Sequence, residues 1–156
     1  MEWPKRARTA DWKNGVLTLD GEKRFEIPEL TMDLMERLAS YVLVGFHVKG
    51  RPVTDTLLAP FARHKSMVNF GVEDGALTDA CFPAFSAMPK LRYLLLDGQA
   101  AIHGDGLAAL QNCKLDLLTL NRTGLDDAGL LQAASIPKLS HIQIDHTAVT
   151  YEGLLA

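Results

Sequence analysis

Three carboxylates recur at one position of a sequence repeat, and they are the side chains whose spacing could support chemistry. Glu73, Asp97 and Asp145 follow a 24-residue register, and Lys49 and Asn121 complete the same row. We expect Glu73 and Asp97 to lie on neighbouring strands. There a carboxylate pair could transfer protons, or attract a cation or a partner's Lys or Arg. Because no nucleophile or expected cleft accompanies the pair, the favoured interpretation is an acidic rim.

The histidines and cysteines of the sequence do not indicate a catalytic or metal centre. His47 and His141 are expected on one face of a sheet, but too many strands apart to share a metal. Cys81 and Cys113 lack C-x-x-C or metal-ligand spacing, so we expect two reduced, partly buried thiols. The sequence has no glycine-rich phosphate loop, H-E-x-x-H or G-x-S-x-G motif. We therefore expect a protein that is not an enzyme and that uses no cofactor and no metal.

An apolar pattern that repeats with the same period would position these side chains. Five successive units share the spacing L-x-x-L-x-L or its apolar equivalent. The triplets are Leu43, Phe46 and Val48; Met67, Phe70 and Val72; Leu91, Leu94 and Leu96; Leu115, Leu118 and Leu120; and Leu139, Ile142 and Ile144. A second signature of the form V-T-D follows each triplet at a nearly constant distance. A fixed period of this length predicts a solenoid.

The units resemble leucine-rich repeats, and their form, L-x-x-L-x-L-x-x-T-x-V-T-D-x-G-L, is most similar to short repeats of bacterial proteins. The resemblance covers residues 43–156. The threonine of the pattern is present as Thr123 and Thr147, whereas Leu57 and Cys81 replace its glycine. The resemblance implies an α/β fold, a right-handed solenoid with a parallel concave sheet and convex helices. It names no ligand, because a fold does not determine a function.

The pattern predicts five short parallel strands in one sheet, joined by right-handed crossovers. They should begin near Leu43, Met67, Leu91, Leu115 and Leu139. Within each strand the triplet should face the core, and the residues between its members should face the concave side.

This alternation predicts a partner-binding surface on the concave face. Tyr93, Leu95 and Leu117 should be exposed together on adjacent strands, which is unexpected unless something covers them. The alternatives are a binding patch, an N-terminal tail, residues 1–13, that folds back over them, and surface leucines that are exposed by chance. The predicted partner-binding residues are Tyr93, Leu95, Leu117, Thr119, Glu73, Asp97, His141 and Gln143.

Residues 1–42 are interpreted as a tail and a cap for the first unit, within a single structural domain. Residues 1–13 are expected to form a loose tail. Val16–Leu19 and Arg24–Ile27 are predicted to pair as a hairpin closed by an Asp-Gly turn. A helix is predicted from about Met32 to Tyr41, which would cover the apolar edge of the first unit.

The charge and hydropathy of the sequence limit the kinds of partner and the cellular location that we expect. Residues 67–156 carry five Lys/Arg against ten Asp/Glu, so we expect a basic protein partner and no nucleic acid. The first residues contain no apolar signal region, and no later apolar run is long enough to span a bilayer. We therefore expect a cytoplasmic protein that does not bind membranes.

Two functions remain open from the sequence. The favoured one is a protein–protein interaction module that uses the concave face, in a specific form a cytoplasmic inhibitor or immunity protein for a basic toxin or enzyme. The alternative is a structural or oligomer-forming subunit that uses an uncapped C-terminal unit, because the sequence stops at Gly153–Ala156 within its last convex segment. A homo-oligomer formed through that unit belongs to the second function.

Overall fold

The structure, a computed structural model, describes residues 3–62 and 64–155 of the 156-residue chain. The fold is α/β, with one eight-stranded, mostly parallel sheet. The strands are β1 (Thr9–Lys13), β2 (Val16–Leu19), β3 (Lys23–Glu26), β4 (Gly45–Lys49), β5 (Asn69–Glu73), β6 (Tyr93–Leu95), β7 (Leu117–Thr119) and β8 (His141–Gln143). Their order across the sheet is β3-β2-β1-β4-β5-β6-β7-β8.

Short helices connect consecutive strands from β4 onward, and a longer one precedes β4. The α-helices are α1 (Met32–Ala39), α2 (Phe82–Ser86), α3 (Asp127–Ala134) and α4 (Tyr151–Leu155), and the 3₁₀ helices are Asp55–Phe61, Asp79–Cys81 and Leu107–Asn112. Thr31 caps α1 by accepting a hydrogen bond from the Leu34 N–H at 3.3 Å. Among the described residues, no helix has the length and apolar character needed to cross a membrane.

The predicted series of parallel strands is confirmed, because β4 to β8 pair in parallel with partners that stand one repeat period apart in the sequence. Each strand begins two residues later than predicted. The reason is that two successive N–H groups share one carbonyl oxygen at each strand entrance. Val68 and Asn69, for example, both donate to the Val44 carbonyl at 2.9 and 3.0 Å. The regular ladder therefore begins only after the first residue of the apolar triplet.

The expectation of a loose tail is wrong for residues 9–13. These residues form β1, which lies between β2 and β4 and pairs in parallel with β4. Trp12 is fully buried, and its indole N–H donates to the Ile27 carbonyl at 2.9 Å. Asn14 and Gly15 close the β1–β2 hairpin at positive φ, as a tight two-residue turn requires. Residues 9–13 therefore extend the sheet beside β4. They do not fold back over Tyr93.

The cap otherwise follows the sequence prediction closely. β2 and β3 form the predicted antiparallel hairpin, with the second strand one residue earlier than expected. Helix α1 ends two residues earlier than expected, at Ala39. Trp3 stacks on Phe25 with ring centroids 5.1 Å apart, and the Arg37 guanidinium lies 4.4 Å from the Trp3 ring centroid.

The core occupies one face of the sheet, between the strands and the helices. Phe46, Phe61, Phe70 and Phe85 form a continuous aromatic cluster with neighbouring centroids 4.6 to 5.6 Å apart. Leu118, the middle triplet residue of β7, is completely buried. Aromatic and aliphatic contacts between successive units therefore hold the sheet and helices together.

The second sequence signature forms hydrogen bonds between units. Asp55 accepts bonds from the Thr78 N–H and hydroxyl at 3.0 and 2.7 Å. Asp127 accepts the equivalent pair from Thr150, both at 2.7 Å. Asp79 accepts two backbone N–H bonds from the following unit, at 3.0 and 2.8 Å. These three aspartates of the signature thus join one unit to the next.

Candidate functional site

The candidate site is the face of the sheet opposite the core, which we call the open face. Side chains on this face alternate with buried residues along each strand. In strand order from β4 to β8 they are Gly45, His47 and Lys49; Asn69, Gly71 and Glu73; Tyr93 and Leu95; Leu117 and Thr119; and His141 and Gln143. All of the predicted partner-binding residues except Asp97, which follows β6, lie on these strands.

The predicted apolar patch is smaller than expected. Tyr93 is 37% exposed. Leu95 and Leu117 are less exposed than Tyr93, since both are half-buried, and Thr119 is 4% exposed. The prediction that three large apolar groups are exposed together is therefore correct only for Tyr93. Neighbouring strands lie close enough for cross-strand pairs to shield each other. Thr119 lies between Leu95 on β6 and Gln143 on β8 in the pairing register.

The Thr119 hydroxyl is a buried polar group without a hydrogen-bond partner in the part of the chain that the structure describes. An unsatisfied buried donor or acceptor costs about 1–3 kcal/mol. This hydroxyl therefore lowers the stability of the sheet at the centre of the open face.

A hollow of about 480 Å³ lies beside the exposed tyrosine, over β1, β4 and β5. It is lined by Thr9, Asp11, Asp20, Gly21, Gly45, Phe46, His47, Asn69 and Leu95. Glycine at position 71 shapes it, because a Cβ there would overlap the His47 ring. Asp11 is exposed at this hollow, and its carboxylate makes no hydrogen bond or ion pair within residues 3–62 and 64–155.

The second carboxylate of the hollow, Asp20, has a structural role. Its Oδ1 accepts the Arg8 and Thr9 N–H groups at 2.8 and 2.9 Å. The backbone bonds from Thr9 and Arg8 hold the pKa of Asp20 below its ordinary value. Asp11 is therefore the lining carboxylate that a partner can reach without breaking an existing contact.

Glu73 is held by His47 and Lys49 rather than exposed as a free charge. Its carboxylate lies 2.9 Å from His47 Nε2 and 2.5 Å from Lys49 Nζ. Burial, the largest influence, would raise the pKa of Glu73, but the bonds to Lys49 and His47 together lower it below its ordinary value. The hydrogen bond to Glu73 in turn raises the pKa of Lys49. The charge that was expected to attract a partner is thus largely neutralised.

Asp97 is also engaged, in a polar ladder along the carboxyl ends of the strands. Its carboxylate accepts the Asn121 N–H and side-chain amide, both at 3.1 Å. The Asn121 side-chain oxygen then accepts the Asp145 N–H at 2.8 Å. Within the described residues, Glu73 and Asp97 do not share a hydrogen bond. The predicted carboxylate pair is therefore two separate contacts, and the acidic rim is mainly a set of cross-strand bonds.

The two remaining predicted residues lie on β8, at the last strand of the sheet. His141 is exposed, and its Nδ1 lies 2.9 Å from the Ser140 hydroxyl. Gln143 accepts a weak bond from the Asn121 side chain at 3.3 Å. His47 and His141 occupy β4 and β8, so they are separated as expected. No cluster of three or more potential metal ligands is found among the residues that the structure describes.

Two groups of candidate residues were not predicted from the sequence. Asp11 was overlooked because β1 was assigned to a tail, although the Asn-Gly dipeptide after it is a strong hairpin signal. Lys90, Lys114 and Lys138 were not recognised as a row, although each directly precedes one of three consecutive apolar triplets. The three lysines occupy the same position in successive units, and this spacing of 24 residues is visible in the sequence.

Among the described residues, the open face offers the exposed ring of Tyr93, a hollow beside it and the unpaired carboxylate of Asp11. A scan against protein-family models and a search of curated proteins both find no match to this chain.

Proposed function

We propose that this chain is a non-enzymatic leucine-rich-repeat solenoid that binds a protein partner on its open face. The repeat assignment is supported by the five parallel strands, in which each residue pairs with the equivalent residue of the next unit. It is also supported by the Asp–Thr bonds that recur between units. Solenoids present extended surfaces of this kind to macromolecular partners.

The observation that carries the binding proposal is Tyr93, an exposed aromatic beside a hollow. Tyr93 is 37% exposed and lies on the same face as the hollow of about 480 Å³. Tyrosine is enriched at the centres of protein interfaces, because its ring buries a large area and its hydroxyl remains able to hydrogen-bond. The half-buried Leu95, which lines the hollow, extends the apolar contact from Tyr93 into it.

The charge of the hollow favours a basic group on the partner. Asp11 is exposed there and unpaired within the described residues, so it can accept bonds from an incoming Lys or Arg side chain. Glu73 and Asp97 contribute less than the sequence suggested, because each already has partners in the sheet. The proposed partner is therefore a protein that inserts a basic side chain beside Asp11 and packs an apolar group on Tyr93.

The test compares one substitution at two exposed tyrosines. The partner is first identified by cross-linking to the chain and is then purified by itself. Tyr93→Ala should weaken its binding by about 2 kcal/mol, or roughly thirtyfold, measured by titration calorimetry. Tyr151→Ala is the matched control, because Tyr151 is 71% exposed on α4, outside the open face. Asp11→Asn should chiefly slow association and reduce its salt dependence. Unchanged affinity for a folded Tyr93→Ala variant would refute the open-face proposal.

A specific form of the proposal is an inhibitor or immunity protein that covers a basic enzyme or toxin. In that form, one equivalent of the chain abolishes the partner's activity, and Tyr93→Ala restores it at the same concentrations. Undiminished partner activity in the presence of excess chain would argue against this form, and full inhibition by both tyrosine variants would argue against a contact at Tyr93.

A second candidate function, oligomer formation, is favoured by the exposed apolar side chains of α3 and α4. Leu131, Tyr151, Leu154 and Leu155 are 52–71% exposed. The triplet of β8 is only half-buried, unlike the fully buried triplets of β6 and β7. Sedimentation velocity over a hundredfold concentration range tests this candidate. Self-association that Tyr151→Ala weakens and Tyr93→Ala leaves unchanged would support it, and a concentration-independent monomer would exclude it.

A further inference from the structure

A second surface, independent of the open face, lies at the amino-terminal ends of the parallel strands. A groove of about 430 Å³ there is lined by Lys90, Arg92, Lys114, Asp116 and Lys138, together with apolar residues. We call it the basic groove. The chain has five Lys or Arg between residues 67 and 156, and four of them line this groove. An otherwise acidic part of the chain thus concentrates its positive charge at one place.

The three lysines form a row across consecutive units. Lys90, Lys114 and Lys138 each precede the first leucine of a triplet, and each lies three residues before its strand. Adjacent strands of a sheet are about 4.8 Å apart, so the row spans roughly 10 Å from first to last lysine backbone. The row is therefore long enough for two or three carboxylates of a bound segment.

The lysines of the row are not used by the fold. All three are exposed, and none makes an ion pair or side-chain hydrogen bond within residues 3–62 and 64–155. Like charges at equivalent positions of adjacent strands repel each other. Helices α2 and α3 each end four residues before a lysine of the row, beyond the last turn where a helix dipole would favour a cation. The free protein thus gains little from this arrangement.

The remaining charges of the groove balance each other. Arg92 forms an ion pair with Asp116, which is the carboxylate among the residues that line the groove. The fifth cation, Arg122, pairs with Asp74 at 3.0 Å, at the other end of the strands. An anion that enters the groove would therefore meet three unpaired ammonium groups beside a fixed ion pair.

We propose that the basic groove binds a short acidic segment of a protein, with carboxylates against Lys90, Lys114 and Lys138. The short row favours a peptide over a nucleic acid, whose binding requires a basic face that follows several phosphates. Acidic residues elsewhere on residues 67–156 would repel a longer phosphate backbone. The proposal is independent of the open face, whose hollow offers the carboxylate of Asp11.

The test uses a fluorescein-labelled hexaglutamate peptide and fluorescence anisotropy at low and moderate salt. The groove variant is the triple substitution Lys90→Gln, Lys114→Gln and Lys138→Gln. The control variant is Lys5→Gln, Lys13→Gln and Lys23→Gln, which removes the same charge from exposed lysines outside the groove. Circular dichroism confirms that both variants fold.

We expect the groove variant to lose more than about tenfold in peptide affinity, since each exposed ion pair contributes up to about fivefold. The control variant should stay within about twofold of the unmodified chain, and Tyr93→Ala should have no effect. Equal losses in both triple variants, or no saturable binding of the peptide, would overturn the proposal. Tighter groove-dependent binding of a decathymidylate than of hexaglutamate would assign the groove to nucleic acid and would also overturn it.

Discussion

The His47 ring, which lines the hollow, occupies the space that a side chain at position 71 would need. Gly71 pairs with His47 across β4 and β5. A Cβ at position 71 would overlap the His47 ring and lie 3.2 Å from its Nε2. The ring would have to leave, and its 2.9 Å contact with Glu73 would be lost. Gly71→Ala therefore tests whether glycine permits the His47–Glu73 contact.

The expected free energies come from two opposing effects. Loss of one hydrogen bond costs about 0.5–1.5 kcal/mol, and the partial exposure of His47 favours the lower part of that range. Alanine in place of glycine in a strand interior gains about 0.5–1 kcal/mol. Gly71→Ala alone should therefore change the unfolding free energy little. In a His47→Ala background the same substitution should stabilise the protein by about 0.5–1 kcal/mol.

The assay is a double-mutant cycle of urea unfolding at pH 7 with the four proteins. We expect a coupling free energy of about 0.5–1 kcal/mol between positions 47 and 71, which is the difference between the effects of Gly71→Ala in the two backgrounds. Gly45→Ala is the matched control, because a Cβ there would meet only the Thr9 methyl group at 3.5 Å. It should be neutral or stabilising in both backgrounds. If the effects at Gly71 and His47 add to within about 0.3 kcal/mol, as those of independent sites do, the reasoning is refuted.

Three further predictions concern the core, the open face and the N-terminal hairpin. Leu118→Ala should lower the unfolding free energy by about 2–5 kcal/mol, whereas Leu131→Ala, at a 52% exposed site, should change it by less than about 0.5 kcal/mol. Thr119→Val, which removes the unpaired buried hydroxyl, should raise the unfolding free energy by about 1 kcal/mol in urea titrations, and a decrease would mean that the hydroxyl has a partner. The pKa of Asp20 is lowered on folding, so its contribution is complete above the ordinary value of 3.8 and is lost as pH falls through the folded value. The stability difference between the unmodified chain and Asp20→Asn should therefore change as pH decreases below about 4 and stay constant above about 5, and a difference independent of pH between about 2 and 5 would contradict this assignment.

Local signals were sufficient for much of the secondary structure. The alternation in Val16–Leu19 and the following Asp-Gly turn predicted the β2–β3 hairpin, because positive φ at both turn residues is a local property of the chain. The first residues of α1 were predictable from Thr31 and the apolar spacing after it. The same kind of signal at Asn14-Gly15 would have located β1.

The side-chain partners on the open face were not predictable in the same way. The row of Lys49, Glu73 and Asp97 was correct in register, but the choice of partner for each carboxylate depends on side-chain conformation. Glu73 contacts His47 and Lys49 on the preceding strand, and Asp97 contacts Asn121 on the following side. Repeat phase places these residues in one row, and only packing decides which neighbours bond.

The sequence by itself determined the parallel strand series and its register, because a constant apolar period can bury its triplets only if successive units align. It also determined which residues alternate between the core and the open face. The tertiary structure decided how exposed those residues are: Tyr93 is 37% exposed, while Thr119, which pairs with β6 and β8, is 4% exposed. The tertiary structure also decided that the lysine row lines a groove, because a groove forms only where the surfaces of several units come together. Exposure and cavities are properties of several strands together, so no single segment of the sequence encodes them.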